Sequence, residues 1–284
     1  MRSRYRFTLR PKWIVSHLLV LLLVVTMVNL GFWQLRRLDD KKAINRRITA
    51  RMHTPVAPVN QVVSPGVAGR FDRSSLGQAD AAEYRRVSVT GAYRADQEVL
   101  VRSRSLNGVP GSWVLTPLVQ PDGTAVVVNR GWVANDGRAE SVPSGAKAPA
   151  GEVTVTGLVQ RTQARGRFGP TDPSSGRLTN LARADIGRLQ QQVPERLLPL
   201  YVQLQGQAPP PATNGDAPQR LDDPSLDEGP HLSYAIQWFA FSALAVGGYP
   251  LILRRAARER ATEQGPDDAV PAPATSDDRR PVPV

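Results

Sequence analysis

A chain of 284 residues with a mean hydropathy of −0.30 has room for one or two domains and is not a polytopic transporter. The net charge of +11 and a pI near 10.7 raise nucleic-acid binding. But +5 of that charge lies in residues 1–12, beside an apolar segment where basic side chains meet lipid headgroups, so nucleic acid is set aside as a partner. The absence of cysteine excludes disulfide scaffolds, thiol nucleophiles, thiolate zinc sites and thiol copper chaperoning. Arginine outnumbers lysine 32 to 4, a bias expected of a GC-rich bacterial genome.

Residues 1–12 form a basic tail with Arg2, Arg4, Arg6, Arg10 and Lys12. Residues 13–35 then read as a first transmembrane helix, apolar apart from His17, Thr26, Asn29 and Gln34. A signal peptide is the rival reading, but no small-x-small cleavage site precedes Gly31-Phe-Trp-Gln-Leu35, so a retained anchor is expected. Thr26, Asn29, Leu30, Trp33 and Arg37 share one helical face, the face expected to meet a second span. Residues 36–83 read as a helical extension through Leu38, Ile44 and Ile48, ending before Pro55, and then as an irregular connector from Val56 to Ala82.

From Tyr84 the apolar period changes to two. Residues 84–91, 98–102, 113–119, 124–130, 153–159 and 200–204 read as strands, and residues 183–192 as a short helix. Asn107-Gly108 and Asp122-Gly123 are hairpin signals between successive strands. Residues 84–205 therefore form a small β-rich domain, an antiparallel sheet or a partly closed barrel.

Residues 206–230 read as a Pro-rich linker. Residues 231–253 follow as a second transmembrane helix, in which the 22 residues from Leu232 to Leu253 carry no formal charge. At about 1.5 Å per residue they reach roughly 33 Å, enough to cross a bilayer core. Its inward face is expected to carry His231, Ala235, Trp238, Ser242, Ala245 and Tyr249. Residues 254–284 read as a tail, basic at first and then disordered. Arg254, Arg255, Arg258 and Arg260 follow the second span directly, and only Arg220 lies among the 20 residues before it. Both termini are therefore expected in the cytoplasm and the β-rich domain on the outer face of a bacterial plasma membrane.

No enzyme template fits. The three histidines, His17, His53 and His231, all lie outside the predicted strands, and the chain has no phosphate loop, dinucleotide fingerprint or H-E-x-x-H. A different signal stands at Asn129-Arg-Gly-Trp132, where an apolar strand ends in an arginine and an aromatic ring. Asn129, Arg130, Gly131 and Trp132 could present a charged plane to a partner. They could equally be a glycine bulge, with Trp132 capping the core and Arg130 paired locally.

Three motifs occur in order: Gly31-Phe-Trp-Gln-Leu-Arg-Arg-Leu-Asp-Asp-Lys41, Asn129-Arg-Gly-Trp132 and His231-Leu-Ser-Tyr-Ala-Ile-Gln-Trp238. With Tyr84 to Gly91 and Gly111 to Pro117, they make residues 13–253 resemble the Surfeit-locus family of cytochrome c oxidase assembly factors. The resemblance implies a non-catalytic biogenesis factor with oxidase subunit I and other assembly factors as partners, and haem a as a transient ligand. It further implies that His231 ligates the haem iron, with Trp33 and Trp238 flanking the porphyrin and Arg36 or Arg37 meeting its propionates. A membrane-anchored envelope protein that binds surface partners is the alternative.

Overall fold

The computed structural model describes residues 5–135, 142–143, 146–210 and 217–263. Arg2 and Arg4 of the basic tail, and the chain end expected to be disordered after residue 263, lie outside the described residues. Two compact units divide the chain, one of Met1–Ala43 with Glu228–Val284 and one of Ile44–Asp227.

The first unit is built on helix α1 (Pro11–Met52), as far as Ala43, and on helix α5 (His231–Glu263). Both are long and apolar enough to cross a membrane, α5 over His231–Arg260. Helix α1 opens on Pro11, whose missing N–H costs nothing in a first turn, and stops before Pro55. Helix α5 does not end at Leu253 as expected. It continues to Glu263, because the following arginines are good helix formers and Arg255 pairs with Glu259 one turn on, at 2.8 Å.

The two helices pack antiparallel. Gly31 faces Phe239, and a Cβ built on the glycine would stand 2.7 Å from that ring. Phe32 meets Phe239 edge to face at 5.3 Å. On α5, Ala235 and Ser242 are buried and the rest of the expected inward face is at least half-buried. On α1 the contact stripe is Met27, Gly31, Gln34 and Leu38, not the expected face of Thr26, Asn29, Trp33 and Arg37. Small or flexible side chains let the backbones approach, whereas Trp33 is too large for the seam and is half exposed. Thr26 and Asn29 instead donate back to Leu22 O and Val25 O of their own helix.

The second unit holds, among the described residues, one eight-stranded sheet. Its strands are β1 (Ala57–Pro58), β2 (Arg86–Tyr93), β3 (Val99–Leu106), β4 (Val109–Val119), β5 (Thr124–Ala134), β6 (Glu152–Arg161), β7 (Asn180–Leu181) and β8 (Arg196–Ala208). Their order is β1-β2-β6-β8-β5-β4-β3-β7, and a further pairing of β2 with β4 closes five of them into a ring. That closure rests on Ala92 opposite Val119 and Tyr93 opposite Leu118.

The sheet is mixed, so the antiparallel form expected from the sequence is corrected. Strands β5 and β8 run parallel, as do the short pairs β1–β2 and β3–β7. Hairpin signals report only chain neighbours, and the two that were read do join β3–β4 and β4–β5. Asn107 and Gly108 both take positive φ, as a two-residue hairpin turn requires. Strands β5 and β8 are far apart in sequence, and β6 lies between them in the chain, which leaves them free to run parallel.

Both central strands are buried on two faces. Val126 and Val128 of β5 join Leu198, Leu200 and Val202 of β8 in one apolar cluster. Ala125 and Val127 join Leu197 and Tyr201 in the other, against Ile186 and Leu189 of α4 (Ile186–Gln190). The connector expected to be irregular holds the one-turn helix α2 (Val59–Val62) and the helix α3 (Arg73–Ala82). Helix α3 buries Ser75, Ala79 and Ala82, small residues that allow close approach to the sheet and give little apolar signal in sequence. The Pro-rich stretch is not wholly a linker, since β8 runs to Ala208 and Gln219 exchanges two 2.7 Å backbone hydrogen bonds with Trp132.

Asp72 caps α3, accepting from Ser75 N at 2.9 Å and from Arg70 at 2.8 Å. These bonds favour the ionised form and hold its carboxyl down at about 2, the Ser75 amide being the first cause. A carboxyl with a depressed folded pKa adds stability above its unfolded value and loses it as pH falls through the folded one. Asp72→Asn, which keeps an acceptor, should therefore flatten the acid limb of the melting curve between the ordinary carboxyl range and about pH 2. An unchanged acid limb would show that the cap contributes nothing there.

Candidate functional site

His231 is the first residue of α5, set there by Pro230 before it. Its Nδ1 lies 2.8 Å from Oε1 of Gln34 on α1. A carboxamide oxygen only accepts, so Nδ1 is the donor of this pair. Gly229 sits beside the other ring nitrogen with φ +72, and a Cβ built there would stand 3.5 Å from Nε2. Lys42 of α1 and Glu228, three residues before α5, form a looser 3.9 Å pair. Both are well exposed, so their pair contributes little.

A second polar clasp joins the helices at the other end. The Tyr249 hydroxyl lies 2.9 Å from Ser16 Oγ and 2.7 Å from His17 Nδ1, while His17 Nε2 donates to Thr8 O at 3.2 Å. Beyond it, the Arg260 guanidinium lies 4.2 Å from the centre of the Phe7 ring and 5.5 Å from that of Trp13. Gln34 and His17 are 17 residues apart on α1, a rise of roughly 25 Å, so the two clasps bracket an apolar stretch of nearly bilayer-core length.

Trp33 and Arg37 line a shallow cleft on α1 with Arg36, Asp39 and Asp40, and neither His231 nor Trp238 lines it. Trp238 is half-buried on α5, with its ring centre 6.3 Å from that of Phe241. The structure thus brings Trp33 and Arg37 together, and places His231 against Gln34, the sequence neighbour of Trp33. Gln34 is the residue that sequence reasoning missed. Its signal was the spacing of Met27, Gly31, Gln34 and Leu38, a stripe of steps of four and three.

In the second unit, Asn129, Arg130, Gly131 and Trp132 are all buried, and the arrangement found is the bulge with local pairing. The β4–β5 register shifts between Val114 and Leu115, opposite Asn129 and Gly131. Gly131 takes φ +133, and a Cβ there would stand 2.4 Å from Gln219 O. Asn129 Oδ1 accepts from Gly131 N at 3.1 Å, and Trp132 Nε1 donates to Arg104 O at 2.9 Å.

Arg130 pairs with Glu98 at 2.8 Å, with side chains only 4% and 5% exposed. It also donates to Ala146 O at 2.7 Å and Lys147 O at 2.9 Å, and lies over the Tyr93 ring. Burial pushes the Glu98 carboxyl up, against the opposite pull of Thr116 and Arg130. No group of three or more His, Cys, Asp or Glu that could hold a metal ion occurs among the described residues.

A helix pair with a histidine held at one end, and a closed mixed sheet, fix an architecture but not a lineage. The SURF1 family model matches residues 21–243, which take in most of α1, the whole sheet and the first part of α5. The chain belongs to the SURF1 family. An uncharacterised SURF1-like protein of Mycobacterium bovis is 29% identical over 270 residues, 93% of each chain. A SURF1-like protein of Dictyostelium discoideum is 37% identical over 39% of this chain and 40% of its own. The cytochrome oxidase assembly protein SHY1 of Saccharomyces cerevisiae is 28% identical over 38% of this chain and 25% of its own. In SURF1 terms, the first and last motifs of the family likeness lie in the helix pair and the middle one lies inside the sheet.

Proposed function

We propose that this SURF1 protein is a non-catalytic assembly factor for a haem-copper cytochrome oxidase, anchored by α1 and α5 in a bacterial plasma membrane. In this reading both termini are cytoplasmic and the sheet lies on the outer face, in line with the arginines that follow the apolar part of α5. The name of the yeast relative supports the assembly role. Subunit I of the oxidase is the proposed partner, alongside other assembly factors. Asn129, Arg130, Gly131 and Trp132 serve that contact from the interior, by fixing the shape of the β4–β5 end.

Haem a is the proposed cargo, held through His231. The observation that carries this reading is the ring itself, with Nδ1 held by Gln34 at 2.8 Å and Nε2 turned to the other side, beside the backbone of Gly229. A neutral imidazole nitrogen is an ordinary axial ligand for haem iron. Trp33, Trp238 and the exposed guanidinium of Arg37 supply apolar planes and positive charge for a porphyrin and its propionates.

The test is complementation of a strain lacking the gene. His231→Ala should restore protein to wild-type level in the membrane but leave the haem a signal of the oxidase low, read by reduced-minus-oxidised spectra. His231→Gln should fail in the same way. Wild-type haem a content with both variants would remove His231 as a ligand and leave the protein a scaffold for subunit I.

A further inference from the structure

A histidine that ligates iron through one nitrogen needs its other nitrogen held, or the ring divides its time between two tautomers and several orientations. A partner for Nδ1 is often a backbone carbonyl or a carboxylate. Among the described residues His231 has neither at hydrogen-bond distance. Its Nδ1 partner is the side chain of Gln34 on the other helix, at 2.8 Å, and both residues are partly buried. The seam fixes the carboxamide in turn, because Gly31 lies one turn before Gln34 against Phe239 and Leu38 one turn after it is buried.

The choice of a carboxamide has a chemical consequence. A carboxylate at Nδ1–H would draw the proton towards itself and make Nε2 a stronger donor to iron. A neutral amide orients the ring with much less of that effect. Such a partner places the ring without strengthening its bond to iron, as suits cargo that must leave again.

We infer that Gln34 is the positioning residue of the haem site, setting His231 in the Nδ1–H tautomer so that Nε2 is presented to iron. This inference rests on the haem reading above. The experiment uses the full chain in detergent, purified from cells unable to make haem a, with ferric haem b as the probe. Nitrogen-15 NMR of labelled histidine in the haem-free protein at alkaline pH reads the tautomer directly. The His231 signals are identified by their loss in His231→Ala.

Wild-type protein should show the proton on Nδ1. Gln34→Leu should show averaged tautomers and about ten- to a hundredfold weaker haem binding. Gln34→Glu, which keeps the acceptor and adds charge, should restore the Nδ1–H form and bind haem at least as tightly as wild type, with a more negative reduction potential. A proton on Nε2 in wild type would overturn the inference. So would a Gln34→Leu protein whose tautomer is unchanged, even if its binding falls, because that is what simple loss of helix packing would produce. If His231→Ala weakens haem binding and Gln34→Leu does not, the role of Gln34 fails and the haem reading survives. If His231→Ala binds haem as wild type does, the haem reading fails and this inference with it.

Discussion

Glu98→Ala is expected to cost the sheet unit about 3–5 kcal/mol, among the largest losses available to a single substitution. The reason is what it leaves behind. Arg130 is only 4% exposed, so little of its charge meets water, and Glu98 is its only carboxylate partner among the described residues. The bonds to Ala146 O and Lys147 O satisfy donors but do not neutralise charge. Thr116, whose hydroxyl donates to the same carboxylate, loses its acceptor at the same stroke. Glu98→Gln keeps an acceptor for both and should lose less, while Arg130→Met fills the space without charge and should lose least if Glu98 is changed with it. Denaturant unfolding of the full chain in detergent, followed by strand circular dichroism, gives the order. An alanine variant as stable as wild type would mean that Arg130 finds water or another anion.

That pair also shows why parts of the site were hidden in the sequence. Arg130 stood out because it closes an apolar strand, but its partner lies 32 residues earlier on a different strand, and nothing in spacing announces it. The outer strands were legible because a two-residue period survives in them, as in β2 and β6, whereas β5 and β8, buried on two faces, showed as short continuous apolar runs. Their parallel pairing was not legible, since turn signals bind only neighbours in the chain. Helix α3 was missed for the opposite reason to the strands: it packs through alanine and serine, which leave no apolar stripe. On α1 the helix was plain and its contact face was not, because Trp33 drew the eye to one side while Gly31 and Gln34 set the seam on another. His231 could be singled out by its place at the start of a span. The residue that holds its ring lies 197 positions away and emerges only once the two helices are paired.

Gly157→Ala and Gly91→Ala should each lower stability by about 3 kcal/mol, at the upper end of what overpacking costs. Neither glycine takes a positive φ, so the argument is one of space alone. A Cβ on Gly157 would stand 2.1 Å from Gln203 O and 2.7 Å from Val202 Cγ1, where the register of β6 against β8 shifts. A Cβ on Gly91 would stand 2.1 Å from Val119 O, next to the two residue pairs that close β2 against β4. In both places the obstacle is backbone, which cannot swing aside as a side chain can, so the strands must part. Opening at Gly91 undoes the ring closure, and opening at Gly157 separates β6 from the central strand β8. Gly77 provides the control within the same unit. It lies exposed in α3 with nothing within 4 Å of a built Cβ, and alanine there should gain up to about 1 kcal/mol from helix propensity. Thermal melts of the three variants should therefore move in opposite directions, Gly77→Ala up and the other two down. If Gly157→Ala melted with wild type, the strands at that corner would have room that the 2.1 Å approach denies, and the close approach of β6 to β8 would have to be given up.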